Sequence, residues 1–176
     1  MWFFSSELGH NYKTYTFGYT NYCERQEGDS LQEIYARGYL PYSGAQETKD
    51  IFYMARSARV DVPKFERTSE NRRIAKKFEA GFERNRIPLS EFEITEEFLR
   101  FCLDYFAARH GAKTMPKERL EYILRAGLIS HVTEYLDAGR TVAYVLEAES
   151  GDMAHYWFSF YDLSLAERSL GLYLML

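Results

Sequence analysis

The last third of the chain holds three strand-length segments joined by very short connections, and this pattern restricts the fold more than any other feature. Residues 131–136, 141–149 and 153–160 are rich in β-branched and aromatic side chains, which favour strands. Both connections, 137–140 and 150–152, combine Asp with Gly, a composition typical of tight hairpin turns. Because strands joined by such short turns run antiparallel, the sequence predicts an antiparallel meander.

Helices are predicted before this meander. Thr95 opens one helix that ends near Gly111, because a Thr cap begins helices and a Gly often follows their last turn. Pro116 opens a second helix, and Gly127 follows it.

A longer helix is predicted over residues 70–86, with Thr68 as its cap. The apolar residues Ile74, Phe78 and Phe82 recur every four positions, which is the spacing of one helix face. The opposite face would be basic.

The remaining segments predict a small β-rich N-terminal part. Residues 12–22 and 51–62 have the composition of strands, residues 31–35 that of a short helix, and residues 39–44 that of a turn. A further strand is predicted at 89–94, after this part of the chain.

Charge is unevenly distributed along the chain. The formal net charge is -4, yet the segment 49–86 contains eleven basic and six acidic residues. Since local fields steer an anionic partner more than the net charge does, this segment is a candidate nucleic-acid surface. Hydrophobic residues make up 46% and charged residues 27%, the balance of a globular protein.

The cysteines and histidines give no support for a metal site. Cys23 and Cys102 lie far apart and outside any C-x-x-C motif, so the sequence predicts no disulfide framework, no zinc site and a cytoplasmic location. His131 and His155 have no second ligand at metal spacing. No apolar run approaches the length of a membrane span, and the first residues do not resemble a signal peptide.

The order of two helices, a meander and a strand-to-helix turn resembles the GCN5-related acyltransferase fold. In that fold a central strand leads into a helix whose first-turn amides face the pyrophosphate of coenzyme A, and the loop between them has the form Gln/Arg-x-x-Gly-x-Gly/Ala. Here Arg168, Gly171 and Tyr173 occupy the corresponding positions. A Tyr in the last position argues against use of acetyl-CoA.

Several ordered segments resemble the arginyl- and leucyl-tRNA–protein transferases. They are Tyr39-Leu40-Pro41, FYMARSARV at 52–60, Phe65 with SENRR at 69–73, DAGRTVAYVLE at 137–147, Phe160-Tyr161-Asp162 and Ser169-Leu170-Gly171-x-Tyr173. The resemblance implies an α+β protein, with a small N-terminal β-rich module at 1–88. An incomplete GCN5-related N-acetyltransferase-like domain at 89–176 would follow, with an antiparallel meander and flanking helices. The apolar end SLGLYLML is expected to be a truncation or, alternatively, a short buried strand.

The resemblance also implies a reaction. The α-amino group of an acceptor protein that begins with Asp or Glu attacks the ester of an aminoacyl-tRNA, and the product is marked for degradation. Aminoacyl-tRNA is then a co-substrate, and no other cofactor is expected. The family's cysteines in the N-terminal module are replaced here by Gly38, Ala55, Ser57 and Ala58, so a role tied to those cysteines does not transfer.

Site residues follow from the same resemblance. Glu147, Asp162, Ser169 and Gly171 are the expected catalytic residues; Tyr39, Arg56, Arg59, Tyr161 and Leu170 are expected at the substrate; and Arg72, Arg73, Lys76 and Lys77 are expected at the tRNA phosphates. Several of them have a structural alternative: a solvated surface for the basic residues and Glu147, a cap for Asp162, and core for Tyr161. Two rival functions are an acetyl-CoA-dependent N-acetyltransferase and an inactive binding module.

Overall fold

The computed structural model describes residues 1–6, 20–43, 50–54 and 58–176, which divide into two compact units. The first unit comprises Met1–Val60 with Ser150–Met153, and the second comprises Asp61–Glu149 with Ala154–Leu176. The second unit therefore begins earlier than residue 89, where the sequence analysis placed the start of the acyltransferase-like domain.

The first unit contains a four-stranded antiparallel sheet in the order β1-β2-β4-β3. Its elements are β1 (Trp2–Ser6), β2 (Thr20–Glu24), α1 (Leu31–Ala36), β3 (Tyr39–Pro41) and β4 (Ile51–Met54). Cys23, Ile34, Tyr35 and Phe52 form its buried interior.

Three expectations for the first unit change. The turn predicted at 39–44 begins with strand β3, whose alternation of buried and half-buried residues fits a paired strand. Of the strand predicted at 51–62, residues 51–54 form β4, residues 55–57 lie outside the described residues, and residues 58–62 are not in a strand. Most of the strand predicted at 12–22 lies outside the described residues, and its last positions belong to β2.

The second unit is built on a four-stranded sheet in the order β5-β6-β7-β8. Its elements are α2 (Ser69–Ala75), β5 (Phe82–Pro88), α3 (Glu96–His110), α4 (Lys117–Arg125), β6 (His131–Asp137), β7 (Arg140–Ser150), β8 (Met153–Tyr161) and α5 (Leu170–Tyr173), with 3-10 turns at Val62–Lys64 and Leu163–Arg168. The predicted meander is confirmed as β6, β7 and β8, and the helices predicted after Thr95 and Pro116 are confirmed as α3 and α4.

The helix predicted over 70–86 is wrong beyond its first turns. Thr68 does cap a helix, through a reciprocal pair of hydrogen bonds with Asn71, but α2 ends at Ala75. Strand β5 then pairs along its whole length with β6. Ile74, Phe78 and Phe82 still pack in the same core. Their regular spacing therefore reflects burial in that core and not one continuous helix.

The strand predicted at 89–94 is also absent, because these residues form a turn. The amide of Phe92 donates to the carbonyl of Pro88 at 3.0 Å. Leu89 and Phe92 pack against the core beneath α3 and α4, so their alternation reflects burial within a turn.

Helices cover both faces of the second sheet. On one face α3 and α4 enclose a core that includes Phe98, Leu120, Leu146 and Phe160. On the other face α2 and α5 enclose a smaller core that includes Ile74, Tyr135, Val145 and Leu170. The alternation of buried residues along β6 and β7 assigns successive side chains to opposite cores, and the predicted α+β class is confirmed.

Candidate functional site

The end of β8 and the start of α5 form a packed structure that we call the β8–α5 corner, made of Tyr161, Asp162, Ser169, Leu170 and Gly171. Phe160 anchors it from the last positions of β8, since its side chain is fully buried against α3 and α4. Leu170 anchors it from α5, fully buried in the opposite core. Because Tyr161 lies against Gly171, the two strongest segments of the family resemblance meet at one place.

Tyr161 lies at the centre of this corner. Its ring centroid is 4.9 Å from that of Tyr105 on α3. Burial and a hydrogen bond with Tyr161 raise the pKa of Tyr105 to about 12. On its other side Tyr161 approaches Gly171 so closely that a Cβ there would lie 3.0 Å from the Tyr161 hydroxyl oxygen. The ring is thus fixed between a helix and a glycine.

Asp162 caps the turn that follows β8. One carboxylate oxygen accepts hydrogen bonds from the Ser164 amide at 2.9 Å and the Ser164 hydroxyl at 2.6 Å. The other oxygen accepts from the Arg140 guanidinium at 2.8 Å. The Ser164 hydroxyl and then Arg140 lower the pKa of Asp162, although burial opposes them. A carboxylate held in this way is a poor proton acceptor, so these contacts favour the capping alternative over a general base.

Ser169 holds the backbone in an unusual conformation just before α5. Its φ is 72°, in the left-handed region that non-glycine residues rarely adopt. Its side chain makes no capping hydrogen bond, so the hydroxyl does not satisfy the first amides of α5. Backbone strain of this kind costs about 1 to 3 kcal/mol and is concentrated at functional sites.

Glu147 belongs to a different polar cluster on the sheet. Its two carboxylate oxygens accept from Arg86 Nε at 2.8 Å and from Thr133 Oγ1 at 2.7 Å. Arg86 also contacts Glu149, which lies 3.2 Å from His131 Nδ1. Partial burial acts to lower the pKa of Arg86, but hydrogen bonds and charge from Glu147 and Glu149 outweigh it and raise this pKa.

The structure separates Glu147 from the corner. Asp162 donates its amide to the carbonyl of Val142, and Glu147 lies five residues further along β7. At about 3.4 Å per residue this separation is about 17 Å along the strand. Glu147 and Asp162 therefore do not form a catalytic pair, and Glu147 is occupied as the partner of Arg86.

The four basic residues expected at tRNA lie on α2 and the turn after it. Arg73 forms a two-pronged ion pair with Glu70, and Arg72 donates to the carbonyl of Arg67. Lys77 donates to the carbonyl of Arg168 at 3.1 Å, which ties this turn to the chain before α5. Lys76 is exposed.

Of the substrate residues expected in the first unit, Tyr39 is buried and Arg59 is exposed. Tyr39 is 8% exposed and its ring contacts that of Phe3, so the structure gives it a place in the core. Arg59 donates to the carbonyl of Tyr35 at 3.0 Å. Arg56 lies outside the described residues.

A groove in the second unit was missed by the sequence analysis. It encloses about 530 Å³ and is lined by Thr95, Glu97, Phe101, Glu134, Gly139, Arg140, Thr141 and Tyr144. Arg140 joins it to the β8–α5 corner through Asp162. The only sequence signal was the segment DAGRTVAY within the family resemblance, where no single residue was singled out.

Within the described residues, no three His, Cys, Asp or Glu side chains are placed to hold a metal ion, and no helix is long and apolar enough to cross a membrane. Cys23 and Cys102 are both buried and free, and burial raises the pKa of each thiol. Burial also lowers the pKa of His155.

Comparison with known families agrees with this architecture. Residues 67–176 match the acetyltransferase (GNAT) domain family, and the match covers more than half of the chain. The chain belongs to the GNAT family. Its second unit, with the β8–α5 corner, is thus an acyltransferase domain, and the predicted GCN5-related fold is confirmed. No curated protein matches the chain.

Proposed function

We propose that this GNAT domain transfers an amino acid, arginine or leucine, from aminoacyl-tRNA to the α-amino group of a protein that begins with Asp or Glu. The observation that supports this most is the β8–α5 corner. It unites Tyr161 and Asp162 with Ser169 and Gly171, the residues of strongest resemblance to the aminoacyl-tRNA–protein transferases. There the Tyr161 ring packs against Gly171, and Asp162 caps the turn that follows β8. Ser169 has a left-handed backbone conformation.

The proposed reaction depends more on positioning the acceptor amine and the ester than on chemical activation of either group. The nitrogen of the acceptor attacks the ester carbonyl, a C–N bond forms, the ester C–O bond breaks and the ribose hydroxyl of tRNA leaves. An α-amino group has a pKa of about 8, so near neutral pH the ammonium form of the acceptor can release one proton to solvent at a small cost in free energy before the nitrogen attacks. Backbone amides at the start of α5 and the Tyr161 hydroxyl are the donors available at the corner for the developing oxyanion.

The turn after α2 supports a role in tRNA binding. Lys77 is bonded to the carbonyl of Arg168, which immediately precedes the corner, while Arg72 and Lys76 are exposed beside it. If these basic residues bind tRNA phosphates, the affinity for tRNA falls steeply as the salt concentration rises. The proposal therefore expects a Michaelis constant for tRNA that rises with salt, and a smaller rise in Lys76→Gln.

Transfer of radiolabelled arginine and leucine tests the proposal directly. Each charged tRNA is incubated with peptides that begin with Asp, Glu or Ala. Label on the acidic peptides supports aminoacyl transfer and names the donor. No label on any peptide, from folded protein that also fails to bind charged tRNA, would falsify it.

Variants at the corner connect that activity to the site. Tyr161→Phe removes one hydroxyl while keeping the ring packed against Tyr105, so a loss of turnover without a loss of stability assigns the hydroxyl to the reaction. Tyr122→Phe on α4 is the matched control, because it removes a buried hydroxyl from the same unit. Equal effects on both variants would point to a general structural cause.

Acetyl-CoA is the second candidate donor, and two observations favour it. The family match is to an acetyltransferase domain. In addition, the Tyr173 ring packs against Phe78 at 5.0 Å and near Phe82 and Tyr135. It is therefore turned into the core, and the sequence argument that Tyr173 crowds a pyrophosphate loses its basis.

A thermal shift with coenzyme A separates the two donors. A rise in the melting temperature that saturates with coenzyme A, together with acetyl transfer to an amine, supports the second candidate. No shift, combined with aminoacyl transfer, supports the first.

A further inference from the structure

The groove beside the β8–α5 corner has the composition of a site for a small charged ligand. Its volume of about 530 Å³ lies within the usual range of ligand pockets. Phe101 and Tyr144 supply its apolar wall, Glu97 and Glu134 supply negative charge, and Arg140 supplies positive charge. A ligand that carries both an ammonium and a carboxylate would meet a partner for each.

Glu134 is oriented but has no cation. Its carboxylate accepts from the Thr141 hydroxyl at 2.8 Å and hydrogen-bonds with Tyr144, which lies directly opposite it in the sheet. Across the described parts of the chain it forms no ion pair. A half-buried carboxylate that is held by neutral donors alone retains capacity for a charged partner.

Arg140 has donors to spare on the other side of the groove. One guanidinium nitrogen contacts Asp162, yet the side chain is 64% exposed. A guanidinium carries five N–H donors in a planar fork, so most of them remain for a second carboxylate. Because Asp162 belongs to the corner, Arg140 lies between the groove and the corner.

We propose that this groove binds the N-terminal residue of the acceptor protein. Glu134, with Glu97 near it, receives the α-ammonium group, and Arg140 receives the side-chain carboxylate of Asp or Glu. The aromatic wall packs against the first peptide unit. This assignment rests on the proposed function for the identity of the acceptor, but the binding step itself requires no tRNA.

The test is calorimetric titration of the whole chain with three short peptides that differ only at the first residue: Asp, Asn, and N-acetyl-Asp. We expect the Asp peptide to bind, and we expect affinity to fall about tenfold when either charge is removed, the effect of losing one charge-assisted hydrogen-bonded contact. Equal affinity for all three peptides, or binding to none, would overturn the proposal.

Two variants assign each charge to its partner. In Glu134→Gln the penalty for N-acetylation should disappear while the preference for Asp over Asn remains. In Arg140→Gln the reverse is expected. Arg125→Gln and Glu118→Gln are the matched controls, because both residues are exposed and lie outside the groove, and Arg125 is also paired with one carboxylate, at 2.7 Å.

The outcomes also distinguish failure of the groove from failure of the proposed function. Aminoacyl transfer whose peptide Michaelis constant is unchanged in Glu134→Gln and Arg140→Gln overturns the groove and leaves the function standing. The full pattern of peptide binding, in a protein that transfers no amino acid from tRNA, supports the groove and contradicts the function.

Discussion

The hydroxyl oxygen of Tyr161 lies so close to Gly171 that a Cβ at position 171 would be 3.0 Å from it and 3.1 Å from two carbons of the same ring. Gly171→Ala must therefore displace the ring or the start of α5. We expect a loss of about 1 to 3 kcal/mol in the free energy of unfolding, the usual cost of overpacking, together with reduced acyl transfer. Urea denaturation and a transfer assay measure the two effects.

Gly81→Ala is the control for that substitution. No atom lies within 4 Å of a Cβ at Gly81, and its φ is outside the left-handed region. The substitution should leave stability unchanged or raise it slightly, because alanine restricts the unfolded chain. Similar losses from the two substitutions would show that the contact with Tyr161 has no special cost.

Asp162 should make stability depend on pH in the acid range. Its pKa is lowered from the ordinary value of 3.8, first by the Ser164 hydroxyl and then by Arg140. A carboxylate with a lowered pKa in the folded state stabilises the protein above the ordinary value and loses this effect as pH falls through the folded value. Asparagine still accepts the capping hydrogen bonds but carries no charge, so Asp162→Asn should cost about 0.5 to 1 kcal/mol at pH 7, as for a solvent-exposed ion pair, and progressively less below pH 3.8.

Asp104→Asn is the comparison for this pH dependence, since Asp104 is exposed on α3. Denaturant midpoints at several pH values between neutral and acid should coincide for Asp104→Asn and the parent protein. A gap between Asp162→Asn and the parent that stays constant into the acid range would contradict an ionised cap.

The elements that the sequence predicted correctly are those whose local signals agree with their burial. Strands β6, β7 and β8 have both β-branched residues and tight turns, and α3 begins at a Thr that accepts from the amide of Phe98. The region 70–86 was misjudged because tertiary pairing overrode the local pattern. Seven residues of β5 pair with β6, and sequence periodicity carries no information about that distant partner.

The site was predictable only where a motif was contiguous. Tyr161, Asp162 and residues 169–171 are close in sequence, and the structure brings Tyr161 against Gly171 at one corner. Glu147 was assigned by resemblance alone, and its ion pair with Arg86 joins residues 61 positions apart. Arg140 was overlooked for the same reason, because its importance depends on a contact with Asp162 across the sheet.

The hairpin between β6 and β7 contains a strained alanine. Ala138 has a φ of 51° and is followed by Gly139 with a φ of 79°, the arrangement of a turn that favours Asn-Gly or Gly-Gly. Ala138→Asn and Ala138→Gly should therefore raise the free energy of unfolding, by about 0.5 to 1 kcal/mol, because each tolerates a positive φ better than alanine. Ala107→Gly, at an exposed position of α3, should instead lower the free energy of unfolding by about 1 kcal/mol. Thermal and urea unfolding of the variants compare the two sites, and destabilisation of both would contradict strain at Ala138.

Arg86 is expected to contribute more to stability than an exposed arginine with an equally short ion pair. Its side chain is 35% exposed and its partner Glu147 only 16%, so Arg86→Ala leaves a half-buried carboxylate with Thr133 alone. We expect a loss of about 2 kcal/mol, between the values for exposed and fully buried pairs. Part of this loss should be recovered by Glu147→Gln in the same chain, since the amide needs no cation.

Arg73→Ala is the matched control, because Arg73 and Glu70 are each 58% exposed and their pair is screened by water. A loss at Arg73 as large as that at Arg86, or no recovery with Glu147→Gln, would show that the Arg86 effect does not come from the unpaired carboxylate.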